Sequence, residues 1–295
     1  MLLGIILGLC QAMCWACTTI LLRFLSNRLD AFLVNGLRAA MSLLLIVPAM
    51  LVTGHAGDFA LLDWKSILYL TSSVALGGVV GDALYVTSLK MLGVHRAFPI
   101  TNSYPLFTML FSALLLGERV TWLMAAGMVL VLLGVYSVAR PKKATIQAEE
   151  PTPKHLLVRG VLLGLATAAI WGVTTVILSM GLKGINTFVA NSIRVPVVVL
   201  LSLFAAGRRG HLGEIKAIRW PTLRLLLLAG LFGWGLGGTL YATALQLAGP
   251  SRTAIISATA PLFAVPLSMI FLHEKPTRNT LIGTVLTIAG IALVI

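Results

Sequence analysis

Apolar runs of about 20 residues recur along the whole chain and are separated by short polar stretches. A helix of about 20 apolar residues crosses a hydrocarbon core roughly 30 Å thick, so each run predicts a membrane-spanning helix. Every connection is short except residues 140–157, which begin with a proline-containing, charged segment that lacks apolar periodicity. We place ten spans, at roughly residues 2–23, 31–53, 65–89, 94–116, 119–139, 158–182, 187–207, 220–247, 250–272 and 276–295.

The second half of the chain repeats the first at an offset of 156 residues, without a gap. Trp15 then aligns with Trp171, and Tyr85 aligns with Tyr241. Because each half holds five predicted spans, an odd number, the second half enters the membrane inverted relative to the first. We therefore predict an all-α membrane protein whose ten helices form a 5+5 inverted repeat. Its parts are a first repeat at residues 1–139, a linker at 140–157 and a second repeat at 158–295.

Each half ends in a proline-broken helix, an interfacial glutamate and a final apolar helix. The two segments read YPLFTMLFSALLLGERVTWLMAAGMVLVLLGVYSV (104–138) and APLFAVPLSMIFLHEKPTRNTLIGTVLTIAGIALVI (260–295). This pattern resembles the EamA repeat of the drug/metabolite transporter superfamily, and the resemblance covers nearly the whole chain. It implies a ten-helix bundle in the inner membrane, with a central cavity lined mainly by the first, third and fourth helices of each half. It also implies export of metabolites such as amino acids, by proton-coupled antiport or passive facilitation.

Asp82 is the only carboxylate inside any long apolar run. A carboxylate in mid-span is costly, so such residues are functional by default. Burial in apolar surroundings favours the protonated form of a carboxyl group, as a proton carrier requires, and a cation is the other natural ligand. The alternative is a structural ion pair with Arg38. The repeat mate of Asp82 is Gly238, and this asymmetry favours the functional interpretation.

Arg38 and Arg194 are repeat mates on the second and seventh predicted helices, each one turn after an asparagine, Asn35 or Asn191. A guanidinium can capture a substrate carboxylate through two parallel hydrogen bonds. Alternatively, the side chains extend along their helices to the interface and fix each helix in depth. A role as gate residues on the two sides of a cavity is compatible with both interpretations.

Several aromatic side chains lie away from the ends of the predicted spans, where the aromatic residues of the membrane interface normally occur, and several polar side chains lie beside the predicted helix breaks. Buried Trp and Tyr require a partner for their N–H or O–H groups, which a polar cavity would provide. Prolines in the fourth and ninth spans leave backbone carbonyls without an intrahelical donor. Nearby hydroxyl and amide side chains can donate to these carbonyls, or they can contact a polar ligand. Core packing is the alternative for all of them. The candidates are Trp15, Trp171, Trp234, Tyr85, Tyr104, Tyr241, Thr101, Asn102 and Ser257.

The composition supports a membrane protein, and this class changes what the positive net charge implies. The chain is 58% hydrophobic and 11% charged, against about 25% charged in soluble domains. A net charge of +13 would suggest nucleic acid for a soluble protein, but here the basic residues lie in loops and set orientation. The loops richer in Lys and Arg, with the central linker, should be cytoplasmic. Cys10, Cys14 and Cys17 share one helix face without nearby His, Asp or Glu, which favours helix packing over a metal site.

These observations predict an inner-membrane secondary transporter rather than an enzyme, since hydrolase, Walker A and metal-protease motifs are absent from the sequence. We expect export of a small metabolite, with amino acids the leading class, by alternating access around a midplane cavity. The expected partners are that substrate, protons and the lipid bilayer, with no cofactor and no nucleic acid. The alternatives are a flippase for a lipid-linked substrate and a non-transporting membrane sensor or scaffold.

Overall fold

The computed structural model describes residues 1–26, 29–92, 97, 100–139, 154–260, 262–263 and 278–294. The regular structure of these residues is helical throughout, and no strand occurs among them. The predicted all-α class is therefore confirmed. The helices are α1 Leu2–Ser26, α2 Ala31–Val52, α3 Trp64–Val74, α4 Asp82–Leu92, α5 Tyr104–Leu116, α6 Trp122–Ala139, α7 Lys154–Gly181, α8 Thr187–Arg208, α9 Trp220–Gly230, α10 Gly238–Ala248, α11 Pro250–Ser257 and α12 Arg278–Val294.

Six helical stretches in the described part of the chain are long and apolar enough to cross a membrane. They are Leu2–Leu22, Ala31–Val52, Trp64–Tyr85, His155–Gly181, Thr187–Arg208 and Trp220–Ala248. Three shorter apolar helices, Tyr104–Leu116, Trp122–Ser137 and Ile282–Val294, lie within three of the other predicted spans. The chain is thus a multi-pass membrane protein, while the count of ten spans stays a prediction.

Side-chain caps explain where several helices begin. The Asp30 carboxylate accepts hydrogen bonds from two backbone N–H groups in the first turn of α2, and Asn186 accepts one at the start of α8. Such caps satisfy donors that have no partner within the helix. Asp63 caps α3 by accepting a hydrogen bond from Ser66 N at 2.8 Å. Hydrogen bonding from Ser66 lowers the pKa of this exposed carboxyl group below its ordinary value of 3.8.

Two π-helical segments interrupt long helices at matching positions in the two halves. Ala75–Gly81 joins α3 to α4, and Leu231–Gly237 joins α9 to α10. Both ends of these segments differ by 156 residues, the offset of the sequence repeat. The 3-10 segments His55–Leu61 and His211–Ala217 keep the same offset. The duplication therefore extends from the sequence to the backbone, including π turns, which often mark functional sites.

The chain forms two compact units, and each takes helices from both halves of the sequence. Unit 1 comprises Met1–Val79 and Ile177–Gly249, and unit 2 comprises Val80–Val176 and Pro250–Ile295. In unit 1, α2 packs along α8 and α1 packs along α10. In unit 2, α6 packs along α12 and α5 packs against α11.

Small residues allow α6 and α12 to approach closely. A Cβ placed on Gly127 would lie 2.6 Å from the carbonyl oxygen of Gly290, and one on Gly290 would meet Gly127 in the same way. One heptad along, Gly134 faces Gly283 and Thr287. Helices in a membrane associate through such close packing, because lipid supplies little hydrophobic driving force between them.

Candidate functional site

Most of the predicted site residues, together with the polar side chains that they contact, fall into three clusters, and each cluster lies within one unit. The carboxylate cluster in unit 2 consists of Asp82, Trp171, Tyr85 and Tyr104. The guanidinium cluster in unit 1 consists of Arg194, Asn191, Thr239, Tyr241 and Trp15. The asparagine hub, also in unit 1, consists of Asn35, Arg38 and Trp234.

Asp82 is the first residue of α4, directly after the π segment, and its side chain is partly buried. The indole Nε1 of Trp171, on α7, donates a hydrogen bond to Asp82 Oδ1 at 3.2 Å. The Trp171 ring lies 5.4 Å from the Tyr85 ring and meets the Tyr104 ring edge-on at 6.2 Å. The structure thus brings the Asp82 carboxylate and three candidate aromatic side chains together in one cluster.

Glycine makes the contact between Trp171 and Asp82 sterically feasible. A Cβ on Gly81 would lie 2.9 Å from Trp171 Nε1 and 3.0 Å from its Cδ1, closer than ordinary van der Waals contact. The π segment ends at this glycine, so the backbone passes directly beside the indole. Gly81 is therefore a positioning residue that the helical pattern of the sequence did not single out for this task.

Two of the remaining unit 2 candidates connect α5 and the turn before it to α11 and the residue that follows it, and Thr101 bonds locally. Tyr104 is buried, and its hydroxyl donates to the Ala254 carbonyl at 3.1 Å. Asn102 donates to the carbonyl of its own repeat mate, Ala258, at 3.1 Å. Thr101, which is buried, donates to the carbonyl of residue 97 at 3.0 Å. These bonds satisfy backbone carbonyls, which is one of the two roles considered for polar residues beside the helix break.

Ser257 is the last residue of α11 and is 2% exposed. The predicted break in the fourth span is present, because the backbone forms a turn at residues 102 and 103 before α5 begins with Tyr104 and Pro105. The other prolines assigned to helix breaks, Pro99, Pro261 and Pro266, lie outside the described residues, as does Glu274. Its repeat mate Glu118 accepts hydrogen bonds from Ser112 and, at 2.7 Å, from Ser251.

Unit 1 contains the repeat mates of the aromatic pair in unit 2. Trp15 stacks on Tyr241 with ring centroids 5.7 Å apart and an angle of 26° between the ring planes. This is the Trp171–Tyr85 pair with the two repeats exchanged. The position that holds Asp82 in unit 2 holds Gly238 in unit 1. The pseudo-symmetry therefore preserves the rings and leaves the carboxylate in one unit alone.

Arg194 lies on α8 with only 7% of its surface exposed. Its Nη1 donates to Asn191 Oδ1 at 2.8 Å, and Asn191 Nδ2 donates to the Thr239 hydroxyl at 3.3 Å. The Nε atom is buried and has no hydrogen-bond partner among the described residues. The alternative that this side chain extends to the membrane surface does not agree with its burial.

Arg38 is engaged differently from its repeat mate. Its Nε and Nη2 both donate to Asn35 Oδ1, at 3.1 and 2.8 Å. Asn35 Nδ2 donates to the Gly78 carbonyl and to Ser202, and Trp234 Nε1 approaches Asn35 Oδ1 at 3.4 Å. The asparagine hub therefore connects α2, α8 and both π segments within unit 1. The polar partners Ser202 and Thr239 were missed from the sequence, because isolated hydroxyl residues in an apolar helix carry no distinctive pattern.

The clusters contain no set of metal ligands in the part of the chain that the structure describes, where no group of three His, Cys, Asp or Glu side chains converges. Polar groups inside long apolar helices, an internal duplication and helices interrupted in mid-span are typical of secondary transporters. Fold and site together define a membrane transport protein.

Comparison with known proteins identifies the family. The model of the EamA-like transporter family matches residues 2–140 and 158–295, so the chain belongs to this family. The predicted resemblance and the transporter class are confirmed.

An uncharacterized transporter from Archaeoglobus fulgidus is 24% identical over 298 residues, covering 100% of this chain and 98% of that protein. A probable terminal-alkyne amino-acid exporter from Streptantibioticus cattleyicolor is 29% identical over 236 residues, or 75% of this chain and 72% of that one. One protein crystal structure matches with a TM-score of 0.78 and 20% identity, covering 98% of this chain and 95% of the other. That likeness shows the fold alone.

Proposed function

We propose that this transporter exports amino acids or closely related small metabolites across the inner membrane, and that Asp82 is its coupling residue. The observation that carries the proposal is the Asp82 carboxylate, which starts α4 near the C-terminal end of the apolar helical stretch Trp64–Tyr85 and accepts the Trp171 indole N–H at 3.2 Å. The name of the Streptantibioticus relative supports the substrate class. The sequence asymmetry of basic loops supports a cytoplasmic linker.

The chemistry of the carboxylate cluster suits a reversible charge. A carboxylate inside a membrane span is retained at a cost only where it has a partner or a task. The Trp171 indole donor orients the Asp82 carboxylate, which can take a proton or bind a substrate ammonium. The neighbouring rings of Tyr85 and Tyr104 offer apolar and π surface to an amino-acid side chain. In an alternating-access cycle, the carboxylate would exchange its proton on one side of the membrane and its substrate on the other.

Counterflow in proteoliposomes tests both parts of the proposal. Vesicles containing the purified protein are loaded with one unlabelled amino acid at a time, and uptake of the labelled compound is measured with and without a pH gradient. We expect exchange of a neutral or aromatic amino acid and acceleration by the gradient. Asp82→Asn should abolish the response to the gradient. Asp63→Asn is the matched control, because this exposed carboxylate lies outside the span and asparagine still caps a helix.

Two results would reject separate parts of the proposal. A lack of exchange for every amino acid would reject the substrate class and leave nucleobases, vitamins or lipid-linked compounds as candidates. Gradient-driven transport that persists in Asp82→Asn would show that this carboxylate is structural. Circular dichroism and gel filtration of both variants establish that each has kept the fold.

A further inference from the structure

Arg194 carries a positive charge into the interior of unit 1. A guanidinium stays protonated in proteins, so burial does not remove the charge. Its exposed fraction is 7%, and no carboxylate among the described residues of unit 1 forms an ion pair with it. A buried charge normally requires an opposite charge or a full set of hydrogen bonds. In unit 1, as described, Arg194 has neither.

The hydrogen bonds of Arg194 leave one edge of the guanidinium available. Nη1 donates to Asn191, whereas the buried Nε has no partner among the described residues. The edge formed by Nε and the neighbouring terminal nitrogen is one that binds a carboxylate through two parallel bonds. Asn191 holds the opposite side of the group and thereby fixes its orientation. Asn191 is itself held by Thr239.

The repeat mate shows that this arrangement is not required by the fold. Arg38 occupies the equivalent position and uses its Nε together with Nη2 on Asn35. The same backbone position, with the same preceding asparagine, therefore can satisfy the Nε edge internally. In Arg194 the bond to asparagine has moved to Nη1, and the edge remains open for an external acceptor.

We propose that Arg194 binds the oxyanion of the transported substrate, specifically a carboxylate such as that of an amino acid. The inference rests on the proposed function and adds a recognition residue to it. Tyr241 lies near the guanidinium, and its ring stacks on Trp15, which is 38% exposed. The apolar part of a ligand can therefore contact these rings while its carboxylate pairs with Arg194.

Burial of the guanidinium couples binding to conformation. In the described state Nε has no contact with solvent, so a ligand reaches it only when the surrounding helices separate. A carboxylate that binds there favours the open state by its differential affinity for that state. This is the property that a substrate-binding residue in an alternating-access transporter needs.

The test compares acids with their amides, which differ only at the group that Arg194 should read. Purified protein in detergent is titrated with alanine, alaninamide, phenylalanine, phenylalaninamide and inorganic phosphate at constant ionic strength. Binding is followed by thermal stabilisation. At least one acid should bind the unmodified protein more tightly than its amide by about tenfold to a hundredfold, since a hydrogen bond to a charged group contributes on that scale.

Arg194→Gln should abolish the preference for the acid, whereas Arg38→Gln, the same change at the repeat mate, should retain it. If Arg194→Gln fails to fold, Arg194→Lys keeps the charge without the planar fork and should weaken the preference. The inference is overturned if Arg194→Gln keeps the full preference for the acid over its amide. It is also overturned if the unmodified protein shows no such preference. Tighter binding of phosphate than of either acid, lost in Arg194→Gln, would also overturn it by assigning the site to phosphate compounds.

Counterflow on the same preparations separates this inference from the proposed function. Exchange of an amino acid with an acid preference that does not depend on Arg194 rejects the inference and leaves the proposed function standing. Binding of carboxylates through Arg194 without exchange of any amino acid rejects the amino-acid assignment and supports the site.

Discussion

Replacing Gly81 with alanine should impair transport, because the added methyl group would push the Trp171 indole away from Asp82. The added Cβ would lie 2.9 Å from Trp171 Nε1 and 3.0 Å from Cδ1, whereas ordinary contact begins at 3.4 Å. The indole must therefore retreat by about 0.5 Å. The bond from Trp171 to Asp82, now 3.2 Å, would lengthen to about 3.7 Å, which is beyond hydrogen-bond distance.

The size of the effect follows from the charge of the acceptor. A hydrogen bond to an ionised group contributes about 1.5–3 kcal/mol. If the bond holds Asp82 in its working position, its loss lowers the rate of transport by roughly tenfold to a hundredfold. Trp171→Phe removes the donor and keeps a ring beside Tyr85, so it should reproduce the same loss.

The assay is counterflow of the transported amino acid by the two single variants and by the double variant. Because both changes break one bond, the double variant should be no slower than Trp171→Phe alone, giving a coupling of about 1–3 kcal/mol in the cycle. Gly213→Ala is the control, since its Cβ would meet no atom within 4 Å. Normal transport by Gly81→Ala alongside slow transport by Trp171→Phe would refute the steric argument. Normal transport by both would show that the bond contributes nothing to function.

Two further predictions concern stability. Gly127→Ala should destabilise unit 2 by about 1–3 kcal/mol, because its Cβ would meet the Gly290 carbonyl at 2.6 Å. Thermal melting in detergent measures this loss, and Gly57→Ala, whose Cβ would meet no atom within 4 Å, should melt as the unmodified protein does. Equal melting temperatures for the unmodified protein and both variants would contradict the close packing of α6 on α12. Asp63→Ala should lower the melting temperature at neutral pH. Hydrogen bonding from Ser66 holds the pKa of Asp63 below 3.8, so the cap contributes above that value and its contribution is lost as the pH falls through the lower folded pKa. A difference between the two proteins that does not shrink on acidification would refute the cap.

Much of the fold was predictable, because hydrophobic periodicity and duplication are properties of the chain itself. The offset of 156 residues read from Tyr85 and Tyr241 also relates the two π segments and the two 3-10 segments. The π turns themselves were not predicted, since a π turn adds one residue to a helix without changing its apolar character. The exchange of helices between the units was also hidden, because it depends on packing between segments far apart in sequence.

The sequence named candidate site residues, but it did not specify the contacts that they make. An ionisable residue in an apolar span stands out by its cost, which is why Asp82 and Arg194 were identified. The distinct engagement of Arg38 and Arg194 was not predictable, because both follow an asparagine three residues earlier and no pattern in the differing neighbours specifies which nitrogen bonds to it. The rotamer of each arginine and the packing of neighbouring helices decide which guanidinium nitrogen donates to the asparagine Oδ1. Trp234 was a candidate for the ligand cavity with core packing as the alternative, and its contact with Asn35 Oδ1 could not be read from the sequence.

The mixed origin of unit 1 has a consequence for synthesis. The helices α1 and α2 leave the ribosome long before α8 and α10, against which they pack, so they enter the bilayer without their final neighbours. Their paired faces must remain in lipid, or with an insertion factor, until residue 248 has been made. A single half, expressed by itself, would find the same neighbours only in a second copy inserted with the opposite topology. The predicted inverted repeat would supply both orientations in one chain and so remove that dependence on dual insertion.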